Sequence, residues 1–160
     1  MEISTNNQRR VVITGMGLVT PLGQDLDTFW QNILAGKSGI SPIENFDVSA
    51  YDCKIAGEIK TFDSTPFFKV PKDVRRCDRY TRFAMVAAKK AVADSGLDLA
   101  VENGERIGVL VGSGIGGMQT LEEQYANLLH PGPNSHAALC PDSPWFQSSR
   151  TSVETVQRAR

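Results

Sequence analysis

Arg106-Ile-Gly-Val-Leu-Val-Gly-Ser-Gly-Ile-Gly-Gly117 is the stretch of this 160-residue chain that says most about its fold. Residues 106–111 are dominated by an apolar run, which predicts a buried strand. The glycines of 112–117 predict a loop that turns sharply and lets a ligand approach its N–H groups. Residues 118–129 have the spacing of an amphipathic helix, whose N-terminus would add partial positive charge to the loop. The sequence therefore predicts a substrate-handling corner between a strand and a helix.

Composition bounds the class of protein. Hydrophobic residues make up 41% and charged residues 22% of the chain, as in ordinary globular domains. A formal net charge of −1 gives no support to a general nucleic-acid or membrane-surface role. No apolar run approaches the roughly 20 residues that span a bilayer, and the first residues lack the apolar segment of a signal peptide. We therefore expect one folded domain in the cytoplasm.

Short strands are predicted on either side of the helices. Residues 9–14 form an apolar run that predicts a buried strand, ending in a structural turn at residues 15–17. Residues 54–59 predict a further short strand. Because strands and helices alternate along the chain, the sequence predicts an α/β fold with parallel strands covered by helices.

Two helices precede the glycine loop. A helix over about 26–34 is predicted to begin at Asp25 as its N-cap. A longer one over about 79–95 is predicted between Asp78 and Gly96. Its apolar stripe contains Tyr80, Phe83, Ala84, Ala87, Ala88, Ala91 and Val92. The alanines on this stripe predict close approach of a neighbouring element.

The glycine loop also fits a dinucleotide-binding pattern. Gly112, Gly114 and Gly117 match G-x-G-x-x-G between a predicted strand and a predicted helix. Such sites carry an acidic residue about 20 positions further on, at the end of a second strand. Asp142 lies in no strand pattern, which counts against this interpretation. A dinucleotide-binding module stays an alternative, as does a purely structural role for the glycines.

A basic segment lies just before the longer helix. Six cations face only Asp73 and Asp78 within residues 69–82, a local net charge of +4. The cations are Lys69, Lys72, Arg75, Arg76, Arg79 and Arg82. Lys72, Arg75, Arg76 and Arg79 have helical spacing and could share one face. A solvated surface is the ordinary interpretation of such a run, and an acidic partner is the alternative.

The three cysteines suggest neither disulfides nor a metal site. Their number is odd and they are scattered, which fits a reducing compartment. Cys53 and Cys77 sit in no catalytic motif and are expected to be structural thiols. Cys140 has His136 and His130 before it, but a fourth ligand is absent, so no metal site is predicted.

Taken together, these segments resemble β-ketoacyl-acyl-carrier-protein synthase II, a family of condensing enzymes with the thiolase-like fold. The matching stretches are Arg9-Arg-Val-Val-Ile-Thr-Gly-Met-Gly-Leu-Val-Thr-Pro-Leu-Gly23, Leu34-Ala-Gly-Lys-Ser-Gly-Ile40, Phe46-Asp47, Asp94-Ser-Gly-Leu97 and Ile107-Gly-Val-Leu-Val-Gly-Ser-Gly-Ile-Gly-Gly117. The resemblance covers about residues 8–129, and the order and spacing of the motifs make it specific. It implies the N-terminal part of a thiolase-like α/β fold.

The resemblance also implies a chemistry. Such enzymes take an acyl chain from acyl carrier protein onto a cysteine and decarboxylate malonyl-carrier protein. The resulting carbanion equivalent joins the acyl group, which extends a fatty acid by two carbons. Two histidines and a lysine far along the family's sequence assist. The substrates are carried on the phosphopantetheine of acyl carrier protein, no further cofactor is implied, and the family is homodimeric.

Particular residues acquire roles by this resemblance. The glycine loop, with Gly112, Gly114, Gly116 and Gly117, would border the acyl pocket. The isoleucine within it, Ile115, would act as the gate of that pocket. The basic segment is where the family docks its acidic carrier protein, which maps onto Lys72, Arg75 and Arg76.

The resemblance ends near residue 129. We predict a flexible N-terminus over 1–8, a thiolase-like segment over 9–129 and a divergent tail over 130–160. The tail has many prolines and lacks hydrophobic periodicity, so one hypothesis is that it is read out of frame. Neither Cys140 nor the two histidines are given catalytic roles. We therefore expect this chain to be inactive in condensation on its own, and a non-catalytic carrier-protein-binding fragment is a further alternative.

Overall fold

The computed structural model describes residues 10–130. Its helices are α1 (Leu26–Leu34), α2 (Pro71–Arg76), α3 (Arg79–Ser95) and α4 (Met118–Leu129). Its strands are β1 (Ser41–Pro42) and β2 (Ile55–Ala56), and short 3-10 turns occupy Thr65–Phe67 and Gly104–Arg106. The predicted helices at 26–34, 79–95 and 118–129 are thus confirmed. The predicted tail beyond residue 130 and the N-terminus over 1–8 lie outside the described residues.

Helix α1 begins where the sequence predicts because Asp25 caps it. Asp25 Oδ1 accepts a hydrogen bond from the Thr28 backbone N–H at 2.8 Å. This hydrogen bond favours the charged carboxylate and lowers the pKa of Asp25. The helix ends at Leu34, two residues before Gly36, which takes up the left-handed conformation at φ +66°.

Helix α3 is the element around which the other segments pack. Its buried residues are Thr81, Met85 and Val86, which do not belong to the predicted apolar stripe. Met85 joins Phe68 and Cys77 in the core cluster, with partly buried side chains of Phe67 and Val74 against it. The predicted stripe also makes packing contacts, since the Phe83 ring packs edge to face against the Phe62 ring with centroids 4.8 Å apart. Helix α3 is therefore covered beyond the predicted stripe.

The alanines of α3 do admit a close neighbour, as predicted. A Cβ on Gly15 would lie under 3.0 Å from the Ala91 carbonyl oxygen. One on Gly17 would lie under 3.0 Å from backbone atoms of Ala87 and Ala91. The Met16 backbone N–H also donates to Asp94 Oδ2 at 2.8 Å, close to the end of α3. The turn at residues 15–17 therefore lies directly on the backbone of α3.

The predicted buried strands at 9–14 and 106–111 are not strands in the described part of the chain. Val11 is 95% exposed and Leu110 98% exposed, and neither segment pairs with another. A strand needs a neighbour for its N–H and C=O groups, and a parallel strand needs cover on both faces. Residues 10–130 supply neither to these two segments.

The one sheet among the described residues also differs from the predicted parallel arrangement. Strand β2 falls within the predicted strand at 54–59, but it pairs antiparallel with β1, which no apolar run in the sequence indicates. The register places Ser41 opposite Ala56 and Pro42 opposite Ile55. The apolar pattern identified the segment that contains β2. The partner with which it pairs was decided by the tertiary structure.

We predict that Gly17→Ala destabilises the fold, because the new Cβ would overlap the backbone of α3. Overpacking of this kind costs about 1–3 kcal/mol in free energy of unfolding. Urea denaturation followed by circular dichroism measures this difference. Gly108→Ala is the matched control, since nothing lies within 4 Å of a Cβ at that position. Equal stability of the two variants would contradict the close approach of residues 15–17 to α3.

Candidate functional site

The glycine loop, residues 112–117, leads directly into α4. The Gly116 backbone N–H donates to Ser113 Oγ at 3.0 Å, and Gly116 has φ +80°, a conformation that favours glycine. A Cβ on Gly112, Gly114 or Gly116 would meet nothing within 4 Å. The first part of the loop is therefore open and free to meet a ligand.

Ile115 lies in this open part of the loop. Ile115 is 76% exposed, one of many large apolar residues that are exposed among residues 10–130. The predicted pairing of a glycine loop with a following helix is confirmed. Nothing in the structure itself tests the predicted role of Ile115 as a gate.

The last glycine of the loop is held tightly. A Cβ on Gly117 would lie under 3.0 Å from Asp78 Oδ2, so a larger residue there would displace the Asp78 carboxylate. The Thr120 hydroxyl donates to Asp78 Oδ1 at 2.7 Å, and both residues are buried. The start of α4 is thereby fixed to the start of α3.

The basic segment is divided between two helices. Helix α2 carries Lys72, Arg75 and Arg76 and ends there, and α3 begins three residues later. The side chains of Lys72 and Arg75 are exposed. Arg79 turns inward, where its guanidinium donates to the Ile59 carbonyl and lies 5.5 Å from the centre of the Phe83 ring. The prediction that Arg79 could share a face with the three cations of α2 was therefore wrong.

The end of the basic helix lies near the start of α4, which follows the glycine loop. Asp78 follows Arg76 by two residues, a distance of at most about 7 Å along the chain. The Asp78 carboxylate in turn contacts the Gly117–Thr120 turn. The structure thus brings together the two groups of residues that the sequence analysis singled out separately.

The cysteines within the described residues differ in exposure. Cys53 is exposed, whereas Cys77 is buried in the core cluster. Burial raises the pKa of the Cys77 thiol, and the nearby carboxylates of Asp73 and Asp78 act in the same direction. A raised thiol pKa is the opposite of what a nucleophilic cysteine requires, which supports the structural role expected for Cys77.

No cluster of metal-binding side chains occurs among residues 10–130. His130 is exposed just beyond the end of α4, and His136 and Cys140 lie outside the described residues.

A separate cleft of about 560 Å³ lies beside the β1–β2 sheet, between residues 20–24, 38–41 and 58–61. Its Glu58 carboxylate accepts hydrogen bonds from the backbone of Glu44 and Asn45, so this charge is already used within the fold.

The contact between Asp78 and Thr120 was missed by sequence reasoning. The residue before a helix is expected to cap it, and Asp78 was assigned that role alone. Its side chain makes no cap hydrogen bond to α3. The two residues are 42 positions apart, so no local pattern connects them.

Comparison with known proteins identifies the class of this fold. The family model described as "Beta-ketoacyl synthase, N-terminal domain" matches residues 8–157, and the chain belongs to this family. A relative from Coxiella burnetii, called 3-oxoacyl-[acyl-carrier-protein] synthase 2, is 47% identical over 126 residues, 79% of this chain. The chain spans about 30% of the length of the curated relatives that it matches.

Solved structures agree on the fold. "The ishigamide ketosynthase/chain length factor" aligns with a TM-score of 0.62 and 28% identity over 79% of this chain and 32% of the other. The structure of a type II polyketide acyl-carrier protein in complex with its ketosynthase aligns with a TM-score of 0.56. The sequence identity is 24% over 91% of this chain and 39% of the other. The predicted thiolase-like fold class is confirmed by these neighbours.

The same findings bear on the alternatives and on membrane association. The family match favours the synthase interpretation over a dinucleotide-binding module, which needs a strand before the glycine loop that residues 10–130 do not form. Helices long and apolar enough to cross a bilayer are absent from the part of the chain that the structure describes.

We predict that Cys77 reacts with iodoacetamide much more slowly than Cys53. Its thiol is buried and its raised pKa leaves less thiolate, the reactive form, at pH 8. Pulse alkylation followed by peptide mass mapping measures both rates in one sample. The difference should disappear in 6 M urea. Equal rates in the folded protein would contradict the burial of Cys77.

Proposed function

We propose that this chain provides the acyl-gate and carrier-docking part of a β-ketoacyl-acyl-carrier-protein synthase, a transferase of fatty acid elongation. The observation that carries the proposal is the family match, together with 47% identity to a 3-oxoacyl-[acyl-carrier-protein] synthase over 126 residues. The structure adds that the end of the basic helix α2 lies two residues before Asp78, which contacts Gly117, the last residue of the glycine loop.

The glycine loop suits a gate at an acyl pocket. The open positions at Gly112, Gly114 and Gly116 give the backbone freedom to move, while Gly117 is fixed. Ile115 stands between these free positions and projects a large aliphatic side chain. An acyl chain entering beside it would cover that side chain and remove apolar surface from water. The proposed substrate is accordingly an acyl group, and no metal or small cofactor is required.

Helix α2 suits an acidic protein partner. Lys72 and Arg75 are exposed, and the same short helix contains Arg76. Such a cluster increases the rate of encounter with an acidic carrier protein and aligns it on the surface. A carrier protein docked there would stand next to the glycine loop, so its flexible phosphopantetheine arm could present the acyl group to Ile115.

The reaction would follow the family's chemistry. Acyl transfer to a cysteine is followed by decarboxylation of malonyl-carrier protein, which releases CO₂ and leaves a carbanion equivalent. That carbon attacks the acyl thioester, forming a carbon–carbon bond and releasing the cysteine thiolate. We assign neither the nucleophile nor the decarboxylating histidines to a residue of this chain. Homodimerisation and a cytoplasmic location stay predictions from the sequence.

The gate is tested in a chimera. Residues 8–129 of this chain replace the corresponding segment of the Coxiella burnetii relative, and elongation is measured with radiolabelled malonyl-carrier protein. We expect an active chimera, and at least about a tenfold loss of kcat/KM on Ile115→Trp because the larger ring would block acyl entry. Val101→Phe, at another exposed aliphatic position, is the control and should leave elongation unchanged. A folded but inactive chimera would contradict the proposal.

Carrier docking is tested on the 160-residue chain itself. Reversal of three charges in Lys72→Glu, Arg75→Glu and Arg76→Glu should weaken binding to acidic acyl carrier protein by about tenfold or more at low salt. The wild-type affinity should fall as salt rises, because exposed charges are screened. Lys37→Glu, which reverses an exposed charge after α1, should have little effect. Isothermal titration calorimetry measures these affinities, and no wild-type binding at low salt would contradict the docking role.

A further inference from the structure

We propose that Asp78 is a positioning residue that holds the glycine loop, and with it Ile115, by anchoring the first turn of α4. The proposal rests on the gate function of Ile115 proposed above. It assigns a role to a buried carboxylate that lies outside the predicted gate and docking residues. Three independent observations carry it: the geometry of the contact, the burial of the charge, and the cap that Asp78 gives up.

The contact fastens one end of an otherwise open loop. The Thr120 hydroxyl donates a hydrogen bond to Asp78 Oδ1 at 2.7 Å, and a Cβ on Gly117 would lie under 3.0 Å from Oδ2, so a larger residue would displace the carboxylate. A Cβ at Gly112, Gly114 or Gly116 would meet nothing within 4 Å. The last residue of the loop is therefore held against Asp78, whereas its earlier glycines stand in open space.

Burial makes the Asp78 carboxylate dependent on the groups that surround it. The Asp78 residue is 8% exposed, and Oδ2 has no hydrogen-bond partner among the described residues. A buried carboxylate with few hydrogen bonds is costly unless other groups stabilise its charge. The first turn of α4 lies against it, and the N-terminus of this 12-residue helix carries partial positive charge.

Helix α4 in turn lacks a cap of its own. Gly117 offers no side-chain cap, and the first turn contains no acidic residue. Asp78 reaches this turn from the start of α3: it accepts a hydrogen bond from the Thr120 hydroxyl and places its carboxylate near the N-terminus of α4. It occupies the N-cap position of α3 without a side-chain cap bond. Asp78 thus makes a tertiary side-chain contact in place of a local cap on α3.

The test is hydrogen–deuterium exchange of the full 160-residue chain, read on peptides that cover residues 112–121. The Leu121 N–H, which donates to the Gly117 carbonyl at 2.9 Å, reports on the anchored turn. Thr120→Val removes the donor and should raise exchange in these peptides by about tenfold or more, since hydrogen bonds to charged groups are among the stronger ones. Thr120→Ser keeps a hydroxyl and should restore the wild-type rate.

A matched control separates anchoring from general loss of stability. Thr81→Val makes the same change at a fully buried threonine whose hydroxyl has no partner among the described residues. It should leave exchange at 112–121 unchanged. Peptides of α3 that contain Met85 and Val86 provide the internal reference. Equal effects of Thr120→Val and Thr81→Val, or failure of Thr120→Ser to restore protection, would overturn the proposal.

A second variant covers the case in which Thr120→Val does not fold. Gly117→Ala should displace the same turn from its other side and raise exchange in the same peptides, while Gly114→Ala, at an open position, should not. Equal exchange in these two variants would overturn the proposal. The outcome is independent of carrier docking: loss of protection without any binding of acyl carrier protein would support the anchor and contradict the proposed function.

Discussion

The hydrogen bond between Thr120 and Asp78 is the interaction on which the arrangement of the candidate site depends. It joins the first turns of α3 and α4, which are separated by 42 positions in the chain. Because Asp78 lies two residues after the end of α2, the same contact brings the end of the basic helix near the last residue of the glycine loop. A single buried carboxylate thus relates the predicted carrier-docking surface to the predicted acyl gate.

Close backbone approach is the second constraint on this fold. Gly15 and Gly17 lie against the backbone of α3 at Ala87 and Ala91, and Gly117 lies against Asp78. At each place a Cβ atom would occupy space that the neighbouring element already fills. Glycines in this chain therefore have two distinct uses, since those earlier in the loop, such as Gly114, stand in open space and provide freedom rather than fit.

Much of the local structure could be predicted because its causes are local. Periodicity predicted α3 to its first and last residue, and the Asp25 side chain predicted where α1 begins. The strands were less predictable, because an apolar run such as 106–111 shows that a segment can pair but not that a partner is present. The buried face of α3 was misjudged for a similar reason: Thr81 and Met85 are buried by segments distant in sequence.

The sequence by itself determined the three longer helices, the Asp25 cap of α1 and the family, because these follow from local spacing and from motifs whose order is specific. It also identified the glycine loop and the basic segment as separate candidates. Only the tertiary structure decided that they lie together, that Arg79 turns away from the basic surface, and that Asp78 anchors α4 rather than capping α3. The physical reason is that a buried carboxylate must be hydrogen-bonded by groups that lie near it in the folded protein. For Asp78 that group is Thr120, which is remote in the chain.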